Sequence, residues 1–206
     1  MKISKNIEEL KRIKKLLIVV DMINGFVNSG ALAHKEVAEI IPENKKLIEY
    51  FVEDADSAVC FVRDSHTEDA MEFNTFPKHC LENSYESMLV DELLEYEDYS
   101  LSYKKNSTSF VFAPGFIEDI RSMINLEEVI LNGCLTDYCI KNGAIALKNL
   151  FDQEDRNIKI IIDEAGVSTF EAEGHNREEE TILALNDMRN NGLVLVKNYG
   201  ENLWKK

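Results

Sequence analysis

Two kinds of apolar pattern alternate along the chain. Lys15-Leu16-Leu17-Ile18-Val19-Val20-Asp21 is an unbroken apolar run closed by a carboxylate, as expected of a central parallel strand buried on both faces. Comparable short runs recur at 57–63, 99–105, 128–131, 158–162 and 193–196, each leading into polar residues or a turn. Between them the apolar spacing becomes helical. Residues 42–53 have Pro42 at a first helical position with Ile48 and Phe51 or Val52 on one face. Segments 89–94 and 116–124 read as shorter helices, and Ile140, Ala144, Leu147 and Phe151 mark another. Over 177–190, Ile182, Leu183, Leu185 and Met188 are expected to face inward, and residues 1–15 read as a charged amphipathic helix. This alternation predicts an α/β fold of three layers, α/β/α, around a central six-stranded, mostly parallel sheet. No repeat, low-complexity tract or Pro-rich linker divides the sequence, so residues 1–206 are expected to form a single domain. Residues 67–87 hold no sustained period but contain Phe73, Phe76, Pro77, His79 and Cys80, which suits a functional loop.

Charge narrows the choice of partners. The chain carries 38 acidic against 23 basic residues, a net charge of −15, and such a field repels phosphate backbones and anionic lipid. Nucleic acid and membrane surfaces are therefore not expected as partners. The apolar run 16–20 is too short for a signal-peptide core or a membrane span, which points to the cytoplasm. The four cysteines, Cys60, Cys80, Cys134 and Cys139, form no CxxC pair and are expected to be reduced thiols.

The stretch Asn132-Gly133-Cys134-Leu135-Thr136-Asp137-Tyr138-Cys139-Ile140 reads as strand end, tight turn and helix start. Cys139 then sits in a first helical turn with Thr136 as its N-cap, where the helix dipole favours a thiolate. The plainer reading is a small apolar residue packed under a helix. Two further strands bring reactive groups to the same edge: Asp21 from the first, and Lys104 or Lys105 from the third. A thiol needs a base to take its proton and a cation or dipole to hold the resulting charge. After the second strand come Asp64, Ser65 and His66, with Glu72 and His79 in the following loop; mixed carboxylate and imidazole suits zinc, iron or manganese.

These residues resemble the nicotinamidase and isochorismatase-like cysteine hydrolases. The resemblance rests on Val19-Val20-Asp21-Met22-Ile23-Asn24-Gly25-Phe26, Asp64-Ser65-His66, Phe76-Pro77-Lys78-His79-Cys80, Lys104 six residues before Phe110, and the block from Gly133 to Ile140. It spans nearly the whole chain and implies the isochorismatase-like hydrolase fold. It also implies a catalytic triad of Asp21, Lys104 and Cys139, with Lys105 as the alternative lysine, because facing by strand parity is unreliable near a strand end. It further implies a divalent metal, zinc first with iron or manganese as alternatives, held by Asp64, His66, Glu72 and His79. A cis peptide at Cys134-Leu135 and an oxyanion hole from the backbone N–H groups of Leu135 and Cys139 follow from the same resemblance. Family members often form homo-oligomers.

The resemblance thus points to an amidohydrolase that converts nicotinamide to nicotinate and ammonia through a thioester on Cys139, with Phe26 and Phe76 as flat walls for the ring. Several positions depart from the common family pattern: Ile23-Asn24-Gly25-Phe26 stands where many members have Gln-Asn-Asp-Phe, Phe76 where they have Trp, and Glu72 where they have His. Those departures leave another small amide, a ureido compound or a vinyl ether as alternative substrates. A binding domain with a relic thiol is the reading from a different class.

Overall fold

The computed structural model describes residues 6–203. Six strands form one sheet: β1 (Lys15–Val20), β2 (Ser57–Asp64), β3 (Leu101–Lys105), β4 (Glu128–Cys134), β5 (Lys159–Ser168) and β6 (Val194–Val196). Their spatial order is β3-β2-β1-β4-β5-β6 and every pairing is parallel. The sequence proceeds outward from β1 on one side and then on the other, so the switch of direction falls between β1 and β4. In such sheets a crevice opens beyond the carboxyl ends of those two strands.

Side chains alternate across the sheet and feed two apolar layers. Leu16, Ile18 and Val20 of β1 meet a layer covered by α2 (Phe116–Ser122), α3 (Lys141–Gln153) and α4 (Arg177–Asn190). Leu17 and Val19 point the other way, toward Leu47, Ile48 and Phe51 of α1 (Ile41–Glu53). Pro42 stands in the first turn of α1, where its missing N–H is not needed.

Three expectations are corrected by the packing. The amphipathic helix over 1–15 is a single turn, Ile7–Leu10; residues 1–5 lie outside the described residues, and the chain is already extended in β1 from Lys15. β4 and β5 run past the polar residues that were expected to end them. Their register shifts between Leu131 and Gly133, and the sheet resumes as Gly133 beside Val167 and Cys134 beside Ser168, so a bulge absorbs the polar run Asp163-Glu164-Ala165-Gly166 within the strand. In α4 the inward stripe is Ala184 and Met188, four residues apart. Ile182 and Leu183, rotated off that stripe by the helical period, are 51% and 58% exposed. No helix among the described residues is long and apolar enough to cross a membrane.

Candidate active site

Asp21 follows β1 directly and is fixed by both of its parts. Its backbone takes a left-handed φ of +53°, a conformation that Asp tolerates better than most residues. Its N–H donates to the Val62 carbonyl (2.8 Å), and its own carbonyl accepts from Ile23 N (2.8 Å) and Cys134 Sγ (3.1 Å). Its side-chain Oδ1 accepts the Asp64 N–H at 2.7 Å. One residue therefore ties together the ends of β1, β2 and β4.

The lysine that meets Asp21 is Lys105. Its Nζ lies 2.8 Å from Asp21 Oδ2, 2.5 Å from Asp64 Oδ1 and 3.5 Å from Cys139 Sγ, and all four side chains are buried. Asp21, Asp64 and Cys139 each bring one atom to within 4.8 Å of the others. Lys104, the lysine carried over from the resemblance, is the wrong neighbour. It points to the opposite face of β3, is half exposed, and stands 3.9 Å from Glu82. The reason is strand parity: Leu101 and Tyr103 face the buried layer, and the next residue on that face is Lys105.

The electrostatics also differ from the expected resting thiolate. Burial, then the charges of Asp21 and Asp64, push the Cys139 thiol well above its ordinary range, against the opposing pull of Lys105. Burial and the nearby Asp64 charge raise Asp21 to about 6. Burial would raise Asp64 too, but Lys105, His66 and His79 outweigh it and hold that carboxyl below the usual range. Lys105 is held above its ordinary value by the two carboxylates despite complete burial. The resting set is thus a protonated thiol, an ammonium, one firmly ionised carboxylate and one carboxylate of raised proton affinity.

Cys139 lies within a wide helical turn, Thr136–Ile140, that leads into α3. Thr136 does not cap it: the turn begins after Leu135 with no side-chain cap, and the buried Thr136 hydroxyl has no hydrogen-bond partner. The turn is instead held by Tyr138 N–H and Ile140 N–H, both donating to the Leu135 carbonyl at 3.1 Å. The Cys134-Leu135 peptide bond is cis. Gly133 lies opposite Val20 with φ +109°, and an added Cβ would stand 2.0 Å from the Val20 carbonyl oxygen, so the close approach of β4 to β1 requires glycine.

Next to this group, Asp64, His66, Glu72 and His79 bring one ligand atom each to within 4.8 Å of one another. The two imidazoles are oriented by hydrogen bonds on their far nitrogens. His66 Nδ1 meets Asn106 Oδ1 at 2.9 Å and His79 Nδ1 meets the Pro77 carbonyl at 2.8 Å. Both partners accept, so each Nδ1 donates and each Nε2 faces inward, where the neutral ring has a lone pair to give a metal. Asp64 Oδ2 and His66 Nε2 are buried with no hydrogen-bond partner. His66 Nε2 is 3.5 Å from Asp64 Oδ1, and His79 Nε2 is 3.8 Å from Asp64 Oδ2. Two ligands of one tetrahedral zinc, each at about 2.1 Å, stand roughly 3.4 Å apart. The donor set therefore fits a divalent ion.

The thiol and three of the four cluster residues line one cavity of about 60 Å³. Asp64, Glu72, His79, Thr108 and Cys139 form its polar part; Phe26, Leu32, Phe76, Leu135, Tyr138 and Phe170 form its apolar walls. Phe26 and Phe76 are among these walls, Phe76 meeting Tyr138 edge-on at 5.7 Å. Phe170 and Tyr138 were missed as wall residues. Their signal was positional, since each follows the carboxyl end of a parallel strand.

The comparisons agree with this architecture. A pyrazinamidase from Pyrococcus horikoshii, solved in complex with zinc, is 24% identical over 89% of this chain and 98% of that one, with a TM-score of 0.72. A nicotinamidase from Bacillus subtilis is 25% identical over 90% and 100%, with a TM-score of 0.73. An N-carbamoylsarcosine amidase from Thermoplasma acidophilum is 23% identical over 89% and 95%, also with a TM-score of 0.73. No curated protein matches the chain. The Isochorismatase domain description matches residues 15–194, from the first strand to the start of the last, and the chain belongs to the isochorismatase family of hydrolases.

Proposed function

We propose that this protein hydrolyses a small, flat, uncharged carboxamide, nicotinamide first, to the acid and ammonia. The observation that carries this reading is the meeting of Cys139 with Asp21 and Lys105 beside a cavity that Cys139, Asp64, Glu72 and His79 all line. Because the resting thiol is protonated, its proton passes to Asp21 as sulfur bonds to the amide carbon. Lys105 holds the charge that develops on sulfur and keeps Asp21 in place. The carbonyl oxygen becomes an oxyanion facing the backbone N–H groups of Leu135 and Cys139, each such donor contributing about 2.7–4 kcal/mol to barrier lowering. Asp21 then returns the proton to the leaving nitrogen and ammonia departs. Water, deprotonated by Asp21, cleaves the thioester and releases the acid and the free thiol.

Asp64, His66, Glu72 and His79 would hold a divalent ion, zinc first, which when bound offers a coordination position to a ring nitrogen and so orients the substrate. Phe26 and Phe76 supply the flat walls. Among the described residues lining the cavity there is no lysine or arginine to pair with a substrate carboxylate. That favours a neutral amide over an anionic ureido compound such as N-carbamoylsarcosine.

The test is ammonia release from nicotinamide, pyrazinamide and N-carbamoylsarcosine by the purified, zinc-loaded protein and by Cys139→Ala. Turnover of the first two, lost in the variant, is expected. Turnover retained without the thiol, or confined to the anionic substrate, would reject the proposal.

A further inference from the structure

The loop between β5 and α4 contains an ion pair that the chemistry above does not use. Asp137, two residues before the nucleophile, accepts from Thr169 Oγ1 at 2.5 Å through Oδ1 and meets His175 Nε2 at 2.8 Å through Oδ2. The other ring nitrogen, His175 Nδ1, lies 3.1 Å from the Phe170 carbonyl oxygen. A carbonyl only accepts, and so does a carboxylate. Both ring nitrogens must therefore donate, which makes His175 an imidazolium. Burial opposes that charge, but Asp137 first, then the Phe170 carbonyl and Glu180 of α4, outweigh it and raise the proton affinity of the ring. Tyr138 is the other titratable group packed on it, with rings stacked 6.3 Å apart.

The charged ring lies on Phe170. Their centroids are 3.9 Å apart with an interplanar angle of 8°, close enough for a cation over an aromatic face to add to the stacking. Gly174, at φ +79°, lets the chain turn back so that Ala172 and His175 exchange backbone hydrogen bonds of 3.1 and 3.0 Å, which returns His175 over Phe170. Phe170 also stacks with His34 at 4.7 Å, and it is a wall of the substrate cavity. One side of Phe170 is thus tied, through His175 and Asp137, to the turn that carries Cys139.

We propose that His175 is a positioning residue that holds Phe170 as a substrate-binding wall by clamping the 169–176 loop onto Asp137. The proposal rests on the amidase reading for its substrate but not for its geometry. It acts on binding of a flat ring and leaves the thiol chemistry alone.

Two measurements on the zinc-loaded full chain test it. Ring proton NMR of His175, assigned with His175→Ala, is expected to show the ring still protonated above the pH at which an ordinary histidine titrates, and Asp137→Asn is expected to lower that midpoint. In steady-state kinetics with nicotinamide, His175→Ala is expected to raise KM up to about tenfold, the range of one aromatic stack, with kcat within about twofold. Phe170→Ala should raise KM comparably, and the double variant should add nothing further, because one residue acts through the other. Alkylation of Cys139 by iodoacetamide, which is too small to need the wall, should proceed at the parent rate in His175→Ala. A His175 ring neutral at pH 7, or KM effects that add in the double variant, would overturn the clamp. Were the parent protein to turn over no amide, the functional reading would fall while the NMR arm still decided the clamp.

Discussion

Lys105 Nζ stands 2.8 Å from Asp21 Oδ2, a fully buried ion pair that Asp64 extends on the other side of the ammonium. One cation serves two carboxylates and the thiol at once. Replacing Lys105 by Ala leaves both carboxylates buried and uncompensated, a change that typically costs about 3–5 kcal/mol of stability. It is also expected to lower turnover by at least about a hundredfold. Lys104→Ala, one residue away and half exposed, should leave stability within about 0.5 kcal/mol and activity within about twofold. Parallel thermal melts and amide turnover of the two variants distinguish the lysines, and a loss confined to Lys104→Ala would reverse the assignment.

The contrast between these neighbours shows what was legible in the sequence. The strand runs, the order of reactive groups at one sheet edge and the Asp64, His66, Glu72 and His79 cluster could be read because strand ends and short spacings are local facts. Lys105 was also legible, since the Leu101, Tyr103 alternation continues onto it, and spacing from Phe110 was the poorer guide. The bulge in β5 was not, because which residue pairs with Gly133 depends on a partner strand distant in sequence. Nor was the raised proton affinity of Cys139, which depends on burial and on two carboxylates from other strands.

The inward-facing Nε2 atoms of His66 and His79, grouped with Asp64 and Glu72, predict a metal stoichiometry. The purified protein is expected to take up one divalent ion per chain, measured by elemental analysis after zinc loading. His79→Ala removes one ligand and should weaken retention by about 10- to 100-fold or more. Because a bound ion stabilises only the folded state, chelation should lower the melting temperature of the parent protein and barely move that of His79→Ala. Equal melting shifts in the two proteins would remove the cluster from the reading.

The Gly133–Val20 approach predicts a large stability effect away from the reacting groups. Gly133→Ala must relieve a Cβ placed 2.0 Å from a backbone oxygen in the middle of the β1–β4 pairing, at a φ that L side chains rarely adopt. Overpacking of this kind costs about 1–3 kcal/mol, and the backbone conformation adds about 1 kcal/mol or more. Denaturant unfolding should show the sum. A variant as stable as the parent would mean that β4 can move away from β1 at little cost.

Asp163, the first residue of the bulged run in β5, predicts a pH-dependent effect. Burial, with Glu43 as the next cause that raises it, brings its carboxyl up to about 6; Oδ1 accepts the Tyr199 N–H at 3.0 Å, while Oδ2 has no hydrogen-bond partner. Its proton is bound more tightly in the folded chain than in the unfolded one. The stability linked to it is therefore fully present below about pH 4 and is lost as pH rises through about 6. Asp163→Asn can keep the acceptor for Tyr199 and never ionises. The variant should match the parent near pH 4 and exceed it by on the order of 2 kcal/mol at pH 8. Denaturant melts across that range check the sign: a difference constant with pH, or one that favours the parent at pH 8, would show that the ionised carboxylate is compensated in the fold.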